Sequence, residues 1–334
     1  MGGHSWQGRG HRGPHFGLLA FVLLALAISS QAAIASPRLS LYESGQYLGL
    51  QTAWLEPGKT AQLKNRWVSL VFERNQRAFT VDGLRVHLGD PVGVASGQLT
   101  ITRTDYARTL LPLLSPKSLG QAPALKHIVI DPGHGGKDAG AINRSLGLFE
   151  KELVLEVSLR LAKLLREAGY QVSLTRSDDR FIDLRERPAI ANRLGADLFI
   201  SVHANAFSSP NVRGIETFAY TPHGQPSTGR AKLHSSDQRT YPANRFDAWN
   251  LLAAFYLQKG LLQGLGAPDR GVKRARFTVL QSLNCPGVLV ELGFISNPSE
   301  GAKLKTSQYR DQAARSLARG VLTYATTLQR VGAR

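Results

Sequence analysis

The chain has a single cysteine, Cys285, in 334 residues. No intramolecular disulfide is available, so a small disulfide-stapled scaffold is excluded. Cys285 stands before Pro286 and an apolar run, where a buried small hydrophobe is expected rather than a nucleophile. There is no Lys/Arg block of five or more, no nucleic-acid-binding motif, no internal repeat and no low-complexity tract. Long hydrophobic runs are also missing. The most extended, Phe16 to Ile28, falls short of the ~20 apolar residues that a membrane helix needs.

That run has a different reading. Arg9 and Arg12 precede it, and Ala33-Ile34-Ala35 follows with small residues suited to cleavage. Residues 1–35 therefore read as a signal peptide, with an uncleaved anchor as the alternative. An exported protein of the periplasm or cell envelope is expected, with no stable membrane insertion after cleavage. The formal net charge is +17, of which Arg9 and Arg12 supply two. Such a balance favours anionic polymers. For an exported protein these are cell-wall polymers rather than nucleic acid; general solubility accounts for the charge equally well.

Hydrophobic residues make up 43% of the chain, enough for a sizeable core. Two regions differ in pattern. Residues 36–112 show short apolar stretches such as Trp67–Phe72 and Ala78–Val81, with Asp82-Gly83 as a hairpin turn. A small β-rich N-terminal domain is expected there, followed by a linker over 113–125. Its pattern resembles the short β/α domain at the start of some copper amine oxidases and wall enzymes. Residues 126–330 alternate between strand and helix. The expected strands are His127–Asp131, Gln171–Thr175, Leu198–His203, Gly214–Tyr220, Phe277–Leu280 and Gly287–Leu292. The expected helices are Glu152–Ala168, Asp183–Leu194, Ala248–Leu265 and Gln308–Leu328. This is an α/β pattern: a central, mostly parallel sheet of about six strands with helices on both faces.

Four polar residues mark the edges of these elements. His134 follows the first strand, in Asp131-Pro132-Gly133-His134-Gly135-Gly136; Glu150 opens the first helix; His203 and Glu291 end apolar strands. Carboxyl ends of parallel strands gather on one edge, so the four are expected to converge. Two imidazoles and one carboxylate make a three-ligand zinc set with a free position for water. A second carboxylate then moves the proton. Glu152 competes with Glu150 for its role. Asp131 either orients a ligand or only ends its strand, and Asn205 is similarly open. His87, His127, His223 and His234 have no matching spacing.

The stretches around His134, Glu150-Lys151, Ser201-Val202-His203-Ala204-Asn205-Ala206 and Val290-Glu291-Leu292-Gly293-Phe294 resemble the zinc-dependent N-acetylmuramoyl-L-alanine amidases of bacteria. The likeness runs from about residue 126 to 327 and includes Leu184, Arg187, Ala191-Asn192 and Gly271-Val272-Lys273. It implies one Zn2+ held by His134, Glu150 and His203. It further implies Glu291 as general acid/base, a zinc-activated water as nucleophile, and peptidoglycan or its muropeptide fragments as substrate. The glycines beside His134 are expected to leave room for that bulky substrate.

In some division amidases of this kind an inserted helix plugs the zinc site until an activator displaces it. Here the segment between Tyr220 and Trp249 has little helical periodicity and no glutamate over 222–246. A substrate-lining or mobile loop is expected instead, and the sequence specifies no protein activator. Two other readings stand beside the amidase: a catalytically silent peptidoglycan-binding protein, and a non-haem iron oxygenase, since two histidines and a carboxylate also suit Fe(II).

Overall fold

The computed structural model describes residues 37–333; the expected signal peptide lies outside them. In chain order the described residues form strands β1 (Arg38–Ser40), β2 (Gln51–Glu56), β3 (Thr60–Lys64), β4 (Ser69–Glu73), β5 (Ala78–Val81), β6 (Leu84–His87), β7 (Gly93–Ala95) and β8 (Gln98–Thr102). They continue with β9 (His127–Pro132), β10 (Ile142–Asn143), β11 (Leu148–Phe149), β12 (Gln171–Leu174), β13 (Leu198–Asn205), β14 (Ile215–Tyr220), β15 (Asp269–Ala275) and β16 (Gly287–Phe294).

One mixed sheet of eleven strands runs in the order β12-β9-β13-β16-β14-β15-β6-β5-β4-β3-β2. β12, β9, β13 and β16 pair in parallel. β14 runs antiparallel to β16 and parallel to β15. Ile128, Val129 and Ile130 of β9, and Phe199, Ile200 and Val202 of β13, are fully buried. Such near-continuous apolar runs belong to strands covered on both faces. Helices Glu150–Glu167, Asp247–Leu265 and Ser307–Gly332 bury apolar residues against the larger core. In the first of these, Leu153, Val157, Leu161 and Leu165 form the inward stripe. On the other face, Ala191 of helix Glu186–Arg193 and Val279 and Leu280 of helix Thr278–Gln281 cover Val129, Phe199 and Leu289.

Three expectations need revision. Of the N-terminal strands, β1, β8 and β7 form a small antiparallel sheet of their own, but β2 to β6 do not. Val86 of β6 pairs with Val272 of β15, and β6 to β2 continue the central sheet as an antiparallel meander. From Arg38 onward the chain is one compact unit. The stretch read as a linker contains the short helix Leu111–Leu114 and a helical turn Pro116–Leu119; Leu113, Leu114, Leu119 and Leu125 pack against the main core. Phe277–Leu280 is not a strand. Its apolar run is short enough to suit either state, and it forms helix Thr278–Gln281 while Asp269–Ala275 supplies the strand.

Candidate active site

The chain leaves β9 through Pro132-Gly133 and turns sharply at His134, which has φ 61°, a left-handed conformation rare outside glycine. Two buried guanidiniums hold this turn. Arg187 donates to Asp131 Oδ1 at 2.9 Å, to the Pro132 carbonyl at 2.8 Å and to the His134 carbonyl at 2.8 Å. Arg176 donates to the carbonyls of Pro132 at 3.0 Å and Gly133 at 2.7 Å. Asp131 also accepts from the hydroxyls of Thr175 and Ser201 at 2.6 and 2.8 Å. Backbone carbonyls that this strained turn would leave bare are thereby satisfied.

His134 and His203 converge on one carboxylate. Glu150 Oε1 lies 3.0 Å from His134 Nε2 and 3.0 Å from His203 Nδ1. It also accepts from the Ala204 amide at 3.1 Å, and Oε2 accepts from the Ala141 amide at 2.8 Å. As the first residue of its helix, Glu150 faces the positive end of the helix dipole. Candidate ligand atoms of the three residues all lie within 4.8 Å of one another. Burial opposes ionisation of Glu150, but hydrogen bonds from His134 and His203 outweigh it and hold its pKa far below the carboxylate range. Burial likewise opposes charge on His134, yet Glu150 and then Asp138 raise its pKa above the ordinary value. This point favours positive charge. Asp138 Oδ2 accepts from His134 Nδ1 at 2.8 Å, which leaves Nε2 turned toward Glu150.

Of the glycines beside His134, Gly133 makes room for this cluster, as does Gly140 further on, while Gly135 and Gly136 lie against Arg176 and the Arg180–Phe181 segment. A Cβ on Gly133 would sit 2.2 Å from His203 Cε1, and one on Gly140 would lie 2.6 Å from Glu150 Oε2 and 2.7 Å from His134 Cδ2. Their missing side chains are the space that the histidine rings and the carboxylate occupy.

Glu291 lies next in line. His203 on β13 is level with Glu291 on β16, and Glu291 is level with Glu216 on β14. Directly paired residues share a face, so the three form a polar row across the sheet. Glu291 Oε2 is closed off from solvent and has no hydrogen-bond partner among the described residues. Burial first, then the charges of Glu150 and Glu216, push its pKa well above the carboxylate range, against the pull of Lys273. Glu216 is itself neutralised: Asn205 Nδ2 donates to it at 2.9 Å and Arg270 Nε at 2.8 Å, and Lys273 Nζ makes a shorter contact with Oε2.

His134, Glu150 and His203 thus come together with Glu291 on the adjacent strand, while Glu152 is exposed and apart. Asp131 does not touch a histidine; it acts on the turn through Arg187. Asn205 belongs to the Glu216 cluster. His127 is satisfied in the interior by Leu194 and Ser173, and His223 and His234 bond locally in their own loop. Cys285 is buried, and burial pushes its thiol up to about 12. Four residues escaped the sequence reading: Asp138, Arg176, Glu216 and Arg270. Only Asp138 carried a local signal, a carboxylate four residues beyond a candidate ligand.

The segment after Tyr220 is neither a plug nor a lining. Because β14 runs against β16, its start lies beside Glu291 and its end beside Val288, so 221–246 leaves from the opposite edge of the sheet. Buried Asp237 binds Arg230 and Arg276 there, and Gln225 bonds Asp105 of the N-terminal region at 2.9 Å.

The donor set and its cradle fit a divalent ion: two imidazole nitrogens and a carboxylate oxygen share one point, with an unpaired carboxylate oxygen on the neighbouring strand. A groove of about 530 Å³ is lined by Ile142–Leu146, Ser296 and Pro298. A family model described as N-acetylmuramoyl-L-alanine amidase matches residues 128–323. The amidase AmiA of Escherichia coli (strain K12) is 35% identical over 218 residues, covering 59% of this chain and 75% of that one. The amidase LytC of Bacillus subtilis (strain 168) is 40% identical over 197 residues, again 59% of this chain but 35% of that longer one. The solved structure of amidase AmiC2 of Nostoc punctiforme matches with a TM-score of 0.51 at 33% identity, over 61% of this chain and 99% of that one. The chain belongs to the N-acetylmuramoyl-L-alanine amidase family.

Proposed function

We propose that this protein hydrolyses the amide between the lactyl group of N-acetylmuramic acid and L-alanine of the peptidoglycan stem, with zinc held by His134, Glu150 and His203. The observation that carries this reading is the meeting of both imidazoles on Glu150 Oε1 at 3.0 Å, with the unpartnered Glu291 Oε2 on the next strand. Zinc, when bound, supplies Lewis acidity that lowers the pKa of water and polarises the amide carbonyl.

The protein residues do the rest. Asp138 fixes the His134 ring so that Nδ1 carries the proton and the Nε2 lone pair is free for the ion. The Ala141 and Ala204 amides keep Glu150 ionised and aimed. The Glu291 carboxylate takes a proton from the attacking water and delivers it to the nitrogen of L-alanine as the C–N bond breaks. The products are a lactyl carboxylate and a stem peptide with a free amino terminus. A carboxyl group whose pKa burial raises above the carboxylate range suits both the accepting and the donating step. Glu291 also distinguishes this reading from a silent wall-binding protein, which has no use for such a group.

The substrate polymer places the activity in the cell envelope, in keeping with the export pattern of residues 1–35. Among the described residues no helix is long and apolar enough to cross a membrane. Digestion of purified peptidoglycan by the wild type and by Glu291→Gln tests the assignment. The wild type is expected to release stem peptides beginning with L-alanine, and the variant to release at least 100-fold fewer while still binding zinc. Cleavage inside the peptide or the glycan, or equal release by both proteins, overturns it.

A further inference from the structure

The polar row does not stop at Glu216. Arg270, at the start of β15, uses only Nε on Glu216; its Nη1 and Nη2 have no hydrogen-bond partner among the described residues. Its side chain is 34% exposed, against 4% for Glu216, so the open end of the fork faces solvent. Two features fix it in place. The guanidinium lies 4.9 Å from the ring centre of Phe294, and its stem crosses Gly214, where a Cβ would stand 2.9 Å from Arg270 Cγ. Lys273 binds the same Glu216 oxygen, so two cations share one carboxylate and the cluster keeps a net positive charge. Asn205 occupies the other Glu216 oxygen, which leaves none to draw the free nitrogens of Arg270 inward.

We propose that Arg270 is a specificity-determining residue that receives a carboxylate of the stem peptide through Nη1 and Nη2; the inference rests on the amidase reading above. A planar fork with two free donors matches a carboxylate in bidentate geometry. The spacing agrees. His203 and Glu216 are two strands apart, about 10 Å, and the Arg270 arm folds back over Phe294 on the strand between them. Two extended residues span about 7 Å, so the carboxylate on the second residue of the stem, a glutamate, reaches the fork when the L-alanine nitrogen is at Glu291. Glu216 and Lys273 position Arg270 rather than touch the peptide. On this reading the enzyme distinguishes a free carboxylate at that position from its amide, which keeps the shape but loses the charge.

The test measures binding of product peptides and so needs no turnover. An L-alanyl-isoglutamate tripeptide and its isoglutamine counterpart are titrated by calorimetry into the zinc-loaded wild type and into Arg270→Gln, with melting curves to show that both are folded. The wild type is expected to bind the acid about 10- to 100-fold more tightly than the amide, the range for a charge-assisted hydrogen-bonded pair. Arg270→Gln is expected to remove that preference by weakening the acid far more than the amide; Arg270→Lys, a point charge without the fork, restores part of it. A wild type with no preference, or an Arg270→Gln variant that keeps it or weakens both peptides equally, overturns the proposal. Release of stem peptides from peptidoglycan by the same wild-type preparation is scored separately, so a failed amidase assignment and a failed Arg270 assignment give different results.

Discussion

Replacing Arg187 with methionine tests how the site is held. Methionine approximates the volume of the arginine stem, so the change is chiefly electrostatic. Arg187 and Asp131 are almost wholly buried and 2.9 Å apart. Without the guanidinium, Asp131 keeps only the hydroxyls of Thr175 and Ser201, and the His134 carbonyl loses its 2.8 Å donor. Stranding one partner of a buried ion pair costs about 3–5 kcal/mol, a large share of a typical total stability of ~5–15 kcal/mol. At about 2–4 °C per kcal/mol the melting point falls by roughly 6–20 °C. Asp131→Asn added to Arg187→Met removes the stranded charge, so the double variant is expected to be at least ~2 kcal/mol more stable than the sum of the single losses. Urea denaturation of the four zinc-free proteins gives this coupling, and zinc competition against a chromophoric chelator reports the turn. Zinc affinity is expected to fall about 10- to 100-fold in Arg187→Met. A loss under ~1 kcal/mol, or a double variant equal to the sum of the singles, refutes the claim that this guanidinium neutralises Asp131 and fixes the turn.

Other perturbations separate the remaining parts. Asp138→Asn is expected to weaken zinc about 10-fold or more while leaving urea stability nearly unchanged, since Asp138 is partly exposed; unchanged zinc affinity argues against its hold on His134. Gly133→Ala forces the His203 ring aside, and a variant that still binds zinc like the wild type contradicts the cradle geometry. His87 is held neutral, with burial and then the charge of Lys273 pushing its pKa down to about 4. Its folded value lies below the ordinary one, so its contribution is present above about pH 6.5 and is lost as pH falls toward 4. The stability difference between wild type and His87→Gln is expected to change by up to about 3 kcal/mol across that window; a pH-independent difference contradicts it.

That His134, His203 and Glu291 lie near one another was legible because strands deliver their ends to one edge, and apolar runs with polar terminal residues are easily read; Glu150, at a helix start, was told from Glu152 only by the resemblance. What escaped depended on pairing direction. Glu216 sits in a strand whose apolar pattern is clear, but nothing local says that the strand is inverted, which turns its first residues toward the site. Asp269–Ala275 was not among the expected strands, and it holds Arg270, Lys273 and Arg274. Arg270 and Lys273 carry their charged ends to Glu216, and buried Arg274 donates to the Arg108 carbonyl, which leaves Gly271 and Val272 to the interior. Arg176 escaped for a similar reason: it is fully buried, yet its partners are backbone carbonyls, those of Pro132 and Gly133 over forty residues away. Inverted pairing also overturned the expectation for 221–246, whose composition was read correctly but whose point of departure was not.

The pairing of β6 with β15 has a consequence for how this enzyme can be shortened. Trimming the chain to the alternating strand-and-helix region would strip the cover from β15 and leave a raw flank of unpaired amides and carbonyls around Val272. Such a flank recruits a strand from any neighbouring molecule, so the shortened protein would be prone to clump. The N-terminal meander is therefore a chaperoning edge for the strand that carries Arg270 and Lys273, whatever else it does.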